Sequence, residues 1–148
     1  MVRSCLPWAL LSASLIVCSG CGEKPPANLK QTFPVKGKVL VDGQPAADVQ
    51  IDCLPATGID KSNPSVSTAK TDKDGTFALS TYKAGDGVPE GDYVLTFQWV
   101  TLKRFQQGGP EEDKLNGRYT NPQASTVKFT VKKGQPPLQL PDIELTTK

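Results

Sequence analysis

Asp48-Val49-Gln50-Ile51-Asp52-Cys53 is the stretch that decides the fold. Val49, Ile51 and Cys53 alternate with Asp48, Gln50 and Asp52, a period of two that puts the apolar side chains on one face of an extended strand. A helix would scatter them round its circumference. The same alternation recurs on both sides. Upstream, Val35, Gly37, Val39 and Val41 share a face, Lys36 and Lys38 take the other, and Asp42-Gly43 offers a turn. Downstream, Val66 to Lys70 is a weaker candidate, and Phe77 and Leu79 follow the turn Asp72-Lys73-Asp74-Gly75. Tyr93, Leu95, Phe97 and Trp99 form the longest aromatic stripe, with Val94, Thr96 and Gln98 opposite. Val127, Phe129 and Val131 alternate with Lys128, Thr130 and Lys132. Leu138, Leu140, Ile143 and Leu145 close the series, and Pro141 among them argues for an edge strand or a bulge. No window of twelve residues carries a helical stripe, and the thirteen glycines and thirteen prolines fall mostly between the strand patterns. The expected class is all-β, and about seven short strands without a blade-length repeat favour a two-sheet Greek-key sandwich over a propeller.

Ahead of the strands the chain reads as an address. Met1-Val2-Arg3 carries one positive charge, and Leu6 to Val17 is apolar apart from Pro7, Ser12 and Ser14, a run too short to span a bilayer. It ends in Ser19-Gly20-Cys21, small residues followed by a thiol that can be acylated. This resembles a bacterial lipoprotein signal peptide, with Cys18 where that family usually has Leu. The resemblance implies cleavage between Gly20 and Cys21 and lipid attachment at Cys21. Residues 1–20 are then the signal peptide, 21–32 the acylated cysteine and a polar, proline-bearing tether, and 33–148 the β-sandwich domain. Such a tether reaches at most about 35–40 Å fully extended, enough to hold a domain just off a membrane. Gly22 rather than Asp follows the cysteine, which in some bacteria permits outer-membrane sorting, so the expected location is the cell envelope.

Of the four cysteines, Cys5 and Cys18 would leave with the signal and Cys21 would become a thioether. Cys53 remains, on an apolar strand face, and is expected to be a buried structural thiol. The formal charge is +2, and the basic pairs Lys103-Arg104 and Lys132-Lys133 are too small for a polyphosphate track, so no nucleic-acid partner is expected.

Val35-Lys36-Gly37-Lys38-Val39, Gly43 to Val49, Thr71 to Leu79 and Pro89-Glu90-Gly91-Asp92-Tyr93-Val94-Leu95 together resemble the carboxypeptidase regulatory-like domain, a transthyretin-like sandwich. The likeness covers about residues 33 to 145 and implies a seven-stranded transthyretin-like or immunoglobulin-like arrangement. Leu115 to Ser125 also resembles small lipoproteins of planctomycete-type bacteria that join this domain to an acylated cysteine. The shared residues need no activity to explain them. Asp72 and Asp74 can bond the backbone, and Gly75 supplies the positive φ of a tight turn.

Chemistry is sparse. The chain has no histidine, which removes the commonest general base and transition-metal ligand together. Asp72-x-Asp74-Gly75 has the wrong glycine spacing for an EF-hand, and Lys83 stands where the bidentate Glu would be. No cofactor or metal is expected. Glu90, Glu111, Glu112 and Asp113 leave carboxylate-pair hydrolysis formally open, but the last three read as a solvated charge run. The segment 101–123 exceeds what a sandwich needs for connection. Phe105, Leu115, Arg118 and Tyr119 there could supply binding contacts, or Leu115 and Tyr119 could fold back as a cap over the sheet end. The leading expectation is a membrane-anchored, non-catalytic interaction or structural module. The alternatives are an accessory subunit docking on an envelope enzyme or transporter, and a glycan or small-molecule binder using Trp99 and Tyr119.

Overall fold

In the computed structural model, which describes residues 29–58, 66–101 and 112–148, the alternating stretches are strands. They are β1 Thr32–Phe33, β2 Val35–Val41, β3 Gln44–Pro45, β4 Gln50–Pro55, β5 Ser67–Lys70, β6 Thr76–Ala78 and β7 Val88–Pro89. After these come β8 Gly91–Gln98, β9 Val100–Thr101, β10 Glu112–Asp113, β11 Lys128–Val131, β12 Leu138–Gln139 and β13 Ile143–Leu145. No helix occurs among the described residues, and the protein is an all-β sandwich.

One sheet runs β11-β8-β4-β5, antiparallel throughout, with Ile51 across from Phe97 and Cys53 across from Leu95. The other is built round β2. Along one side β2 pairs antiparallel with β6 and β3; along the other it pairs in parallel with β12 and then β13. Among the described residues the expected seven strands are thus thirteen shorter ones, because β2 is flanked on each side by two segments and two small ladders, β1–β7 and β9–β10, sit apart. The Pro141 expectation is met on both counts. β12 and β13 form an edge, and the register slips by one residue between them, Leu138 lying across from Val35 but Ile143 from Val39. Thr32, placed in the tether by sequence, pairs with Pro89.

Val39, Ile51, Leu79 and Leu95 are fully buried between the sheets, with Phe77, Phe97, Ile143 and Leu145 packed beside them. Burying such side chains is the main stabilising term of a fold without staples. Cys53 is a free, buried thiol in this core, as expected, and burial pushes its pKa up to about 12. The aromatic stripe differs from expectation on its second face. Val94 and Thr96 are buried as well, because β8 is a central strand: Leu54 and Lys128 flank Val94, and Asp52 lies beside Thr96. Tyr93 stacks on Phe129 with ring centroids 5.6 Å apart and donates its hydroxyl to the Pro89 carbonyl at 3.0 Å.

Candidate functional site

Leu115, Arg118 and Tyr119, three of the four residues singled out for binding, lie at the turn after β10, and its organiser is Asp113. One carboxylate oxygen accepts the N–H groups of Trp99 at 2.9 Å and Leu115 at 3.0 Å; the other accepts that of Gly117 at 2.9 Å. Burial raises the cost of its charge, but the three donors outweigh this and hold the carboxyl below its usual range. Asp113 is therefore a structural anchor rather than part of a solvated charge run. Asn116, at φ 55°, and Gly117, at φ 69°, carry the chain through the turn.

That turn drives Leu115 into the core, where it is fully buried and unavailable to a ligand. Arg118 is exposed, and its backbone N–H bonds the Leu115 carbonyl. Tyr119 is half-buried: its carbonyl accepts the Phe97 N–H at 3.0 Å, and its hydroxyl accepts the Thr146 N–H at 3.0 Å. Leu115 and Tyr119 thus form the cap over the sheet end, and Arg118 alone of the three points no contact inward. Phe105, Gly20 and Cys21 lie outside the described residues. The Trp99 face expected for a sugar carries the Lys114 ammonium, 4.0 Å from the ring centroid.

The turn Asp72–Gly75 is likewise closed on itself. Asp72 accepts the Thr76 hydroxyl at 2.6 Å and the N–H groups of Thr76 and Asp74, and these bonds, the hydroxyl first, hold its carboxyl below the usual range. Gly75, at φ 74°, turns the chain so that its carbonyl accepts the Val39 N–H at 2.8 Å. A Cβ there would sit 2.4 Å from the Val39 carbonyl oxygen. Asp72 thus binds its own turn, and among the described residues no group of three metal-ligating side chains comes together.

A shallow hollow of about 540 Å³ lies over the wet face of β2 and β6, lined by Lys36, Lys38, Lys70, Asp72 and Asp142 among others. Lys70 reaches Asp48 at 2.8 Å with both side chains largely exposed, a pair of small energetic weight. The charges lining the hollow are mixed, and the hydroxyl it holds beside a carboxylate, Thr76 on Asp72, is the bond that closes the turn.

Sequence reasoning missed Asp113, whose role depends on donors from a distant strand end as well as its own turn. The run Asp113-x-Leu115-x-Gly117 carries the local half of that signal, an acidic residue ahead of an Asn-Gly turn.

No family model matches the chain, and no curated protein is similar to it. Among solved structures, a 9R-lipoxygenase from Cyanothece PCC8801 is similar at 13% identity and a TM-score of 0.39, over 78% of this chain and 16% of that one. The chain spans about a sixth of that enzyme, and a likeness so slight carries neither fold nor activity across.

Proposed function

We propose that this protein is a lipid-anchored protein of the cell envelope whose β-sandwich acts as a non-catalytic interaction or structural module. The observation that carries the proposal is Ser19-Gly20-Cys21 at the end of a short apolar run, the pattern of lipoprotein processing. The resemblance of residues 33–145 to a carboxypeptidase regulatory-like domain fits the same role. The chemistry of the sandwich supports it too. Histidine is missing from the chain, the Cys53 thiol is buried with its pKa pushed up to about 12, and Asp72 and Asp113 spend their oxygens on their own turns. A nucleophile needs access, which the buried thiol lacks, and both carboxylates are engaged by backbone N–H and hydroxyl donors. One acyl chain holds a protein only marginally, whereas the two or three of a lipoprotein hold it stably.

The test is Cys21→Ser in the full chain. The variant is expected to lose its lipid adduct by mass spectrometry and to leave the membrane fraction, with its circular dichroism unchanged. Retention of membrane association equal to wild type defeats the proposal.

A further inference from the structure

The two flanks of the sandwich are closed differently. On one flank Thr68 and Ser80 exchange two N–H···O bonds of 2.9 Å, bridging β5 to the chain just beyond β6. On the other flank β11 and β13 face each other across a groove of about 270 Å³. Thr126 to Lys128 form one wall and Leu140 to Glu144 the other. Among the described residues both strands are edges there: β11 pairs only with β8, and β13 only with β2.

The hydrogen-bond phase fixes which backbone groups look outward. Val127 accepts the Leu95 N–H, so alternate residues of β11 face β8 and the N–H and C=O of Lys128 and Thr130 face away. Leu145 accepts the Asp42 N–H, so Glu144 turns its N–H and C=O to the free side of β13. Strand direction follows from the pairings. β2 is antiparallel to β6, the Thr68–Ser80 bridge is antiparallel, and β5, β4, β8 and β11 alternate, so β11 runs opposite to β13.

The two edges carry opposite charge. Lys128 and Lys132 are exposed along β11, Asp142 and Glu144 along β13, and among the described residues none of these four makes an ion pair. Charges that only deter aggregation would serve best with one sign on both edges. Opposite signs on the two walls of one groove, Lys128 on one and Asp142 and Glu144 on the other, suit a second copy of this chain turned by a two-fold axis along the strands. That rotation lays β11 beside the partner's β13 and β13 beside the partner's β11. It keeps outer faces with outer faces and preserves the antiparallel sense.

We infer that this flank is a self-association surface, on which two copies pair β11 with β13 antiparallel, Lys128 lying across from Glu144 of the partner subunit in each of the two layers of a closed dimer. The inference concerns the sandwich and is independent of the lipid anchor. Two copies of the same complementary pair close the assembly, so the product is a dimer and not a filament.

The test uses the full chain as wild type in detergent and as Cys21→Ser in buffer, with mass read by sedimentation equilibrium. Both are expected to be dimers in equilibrium with monomer. Lys128→Glu alone and Glu144→Lys alone each set like charges against each other twice, and each is expected to weaken the dimer at least about tenfold. The double variant, which exchanges the signs, is expected to recover wild-type affinity. Amide hydrogen exchange is expected to slow at Lys128, Thr130 and Glu144 as concentration rises. A monomer at every concentration, a larger open assembly, or a dimer indifferent to both single reversals overturns the inference. A monomer would leave the flank to solvent or to a different chain.

Discussion

Gly37 sits in the middle of β2 because the ring of Phe77 occupies the place its side chain would take. A Cβ built there lies 2.6 Å from Phe77 Cζ, 2.7 Å from Cε1 and 3.4 Å from the Leu140 Cβ. Gly37→Ala forces a buried ring off its position, and the expected loss is about 1–3 kcal/mol, read as a lower urea midpoint at unchanged slope. An unchanged midpoint would mean that the ring has room to move. The sequence places Gly37 on the apolar face correctly. Its reason stays hidden, because it depends on the register of Gly37 against Phe77, a residue of another strand. Asp113 offers a second test at this scale. Its folded pKa is depressed, so the stability it contributes is present above the unfolded value of 3.8 and is lost as pH falls through the lower folded value. Asp113→Asn cannot accept all three N–H groups. It should lower the unfolding midpoint at pH 7 and make the remaining loss between pH 5 and pH 2.5 shallower than in wild type, by roughly the share of one carboxylate. Parallel pH profiles would remove Asp113 as the anchor of its turn.

At the scale of elements, the strands that alternate strictly were legible and their partners were not. The buried set Val49, Ile51 and Cys53 follows from period two alone. The burial of Val94 and Thr96 does not, since it needs β8 to have a strand on each side. Leu115 could be read from sequence either as a ligand contact or as part of a cap, because it reaches the core from a turn, where no periodicity decides between the two. The break between β12 and β13 yields a prediction that sequence alone could not frame. Leu138, Leu140 and Ile143 all face inward although the last two are three residues apart, so one residue of Leu140-Pro141-Asp142 is surplus to the ladder with β2. Deleting Pro141 restores strict alternation and brings the exposed Asp142 across from Lys38 on the wet face. The shortened chain should fold with a stability change below about 1 kcal/mol, measured by urea unfolding, whereas a deletion inside a paired strand reverses every later side chain. Loss of the folded state in that variant would show that the bulge itself is required.

For the whole sandwich, whose single described cysteine, Cys53, is free, stability depends on burial, and burial sets a limit on the alkaline side. Cys53 titrates at about 12 in the fold against 9.0 as a free group, and burial is the cause. Tyr93 is likewise raised to about 12 from 10.0, first by burial and then by repulsion from Cys53 and Tyr82. Both groups lose a proton more readily when unfolded. The stability tied to each is therefore complete below its unfolded value and drains away as pH climbs toward the folded value. Of these two groups Cys53 acts first, between pH 9 and pH 10, where the unfolding free energy should fall by up to about 1.4 kcal/mol per pH unit on its account; above pH 10 Tyr93 steepens the fall. Cys53→Ala should flatten the window from pH 9 to pH 10 while leaving the steeper fall above it. Tyr93→Phe, which loses the bond to the Pro89 carbonyl, should do the reverse. Because the readout is the slope of stability with pH and not its level, the cavity left by either substitution does not confound it. A wild-type profile flat from pH 8 to pH 11 would mean that the thiol and the phenol are solvated in the native protein, and would break the claim that one dry core between the two sheets holds the chain together.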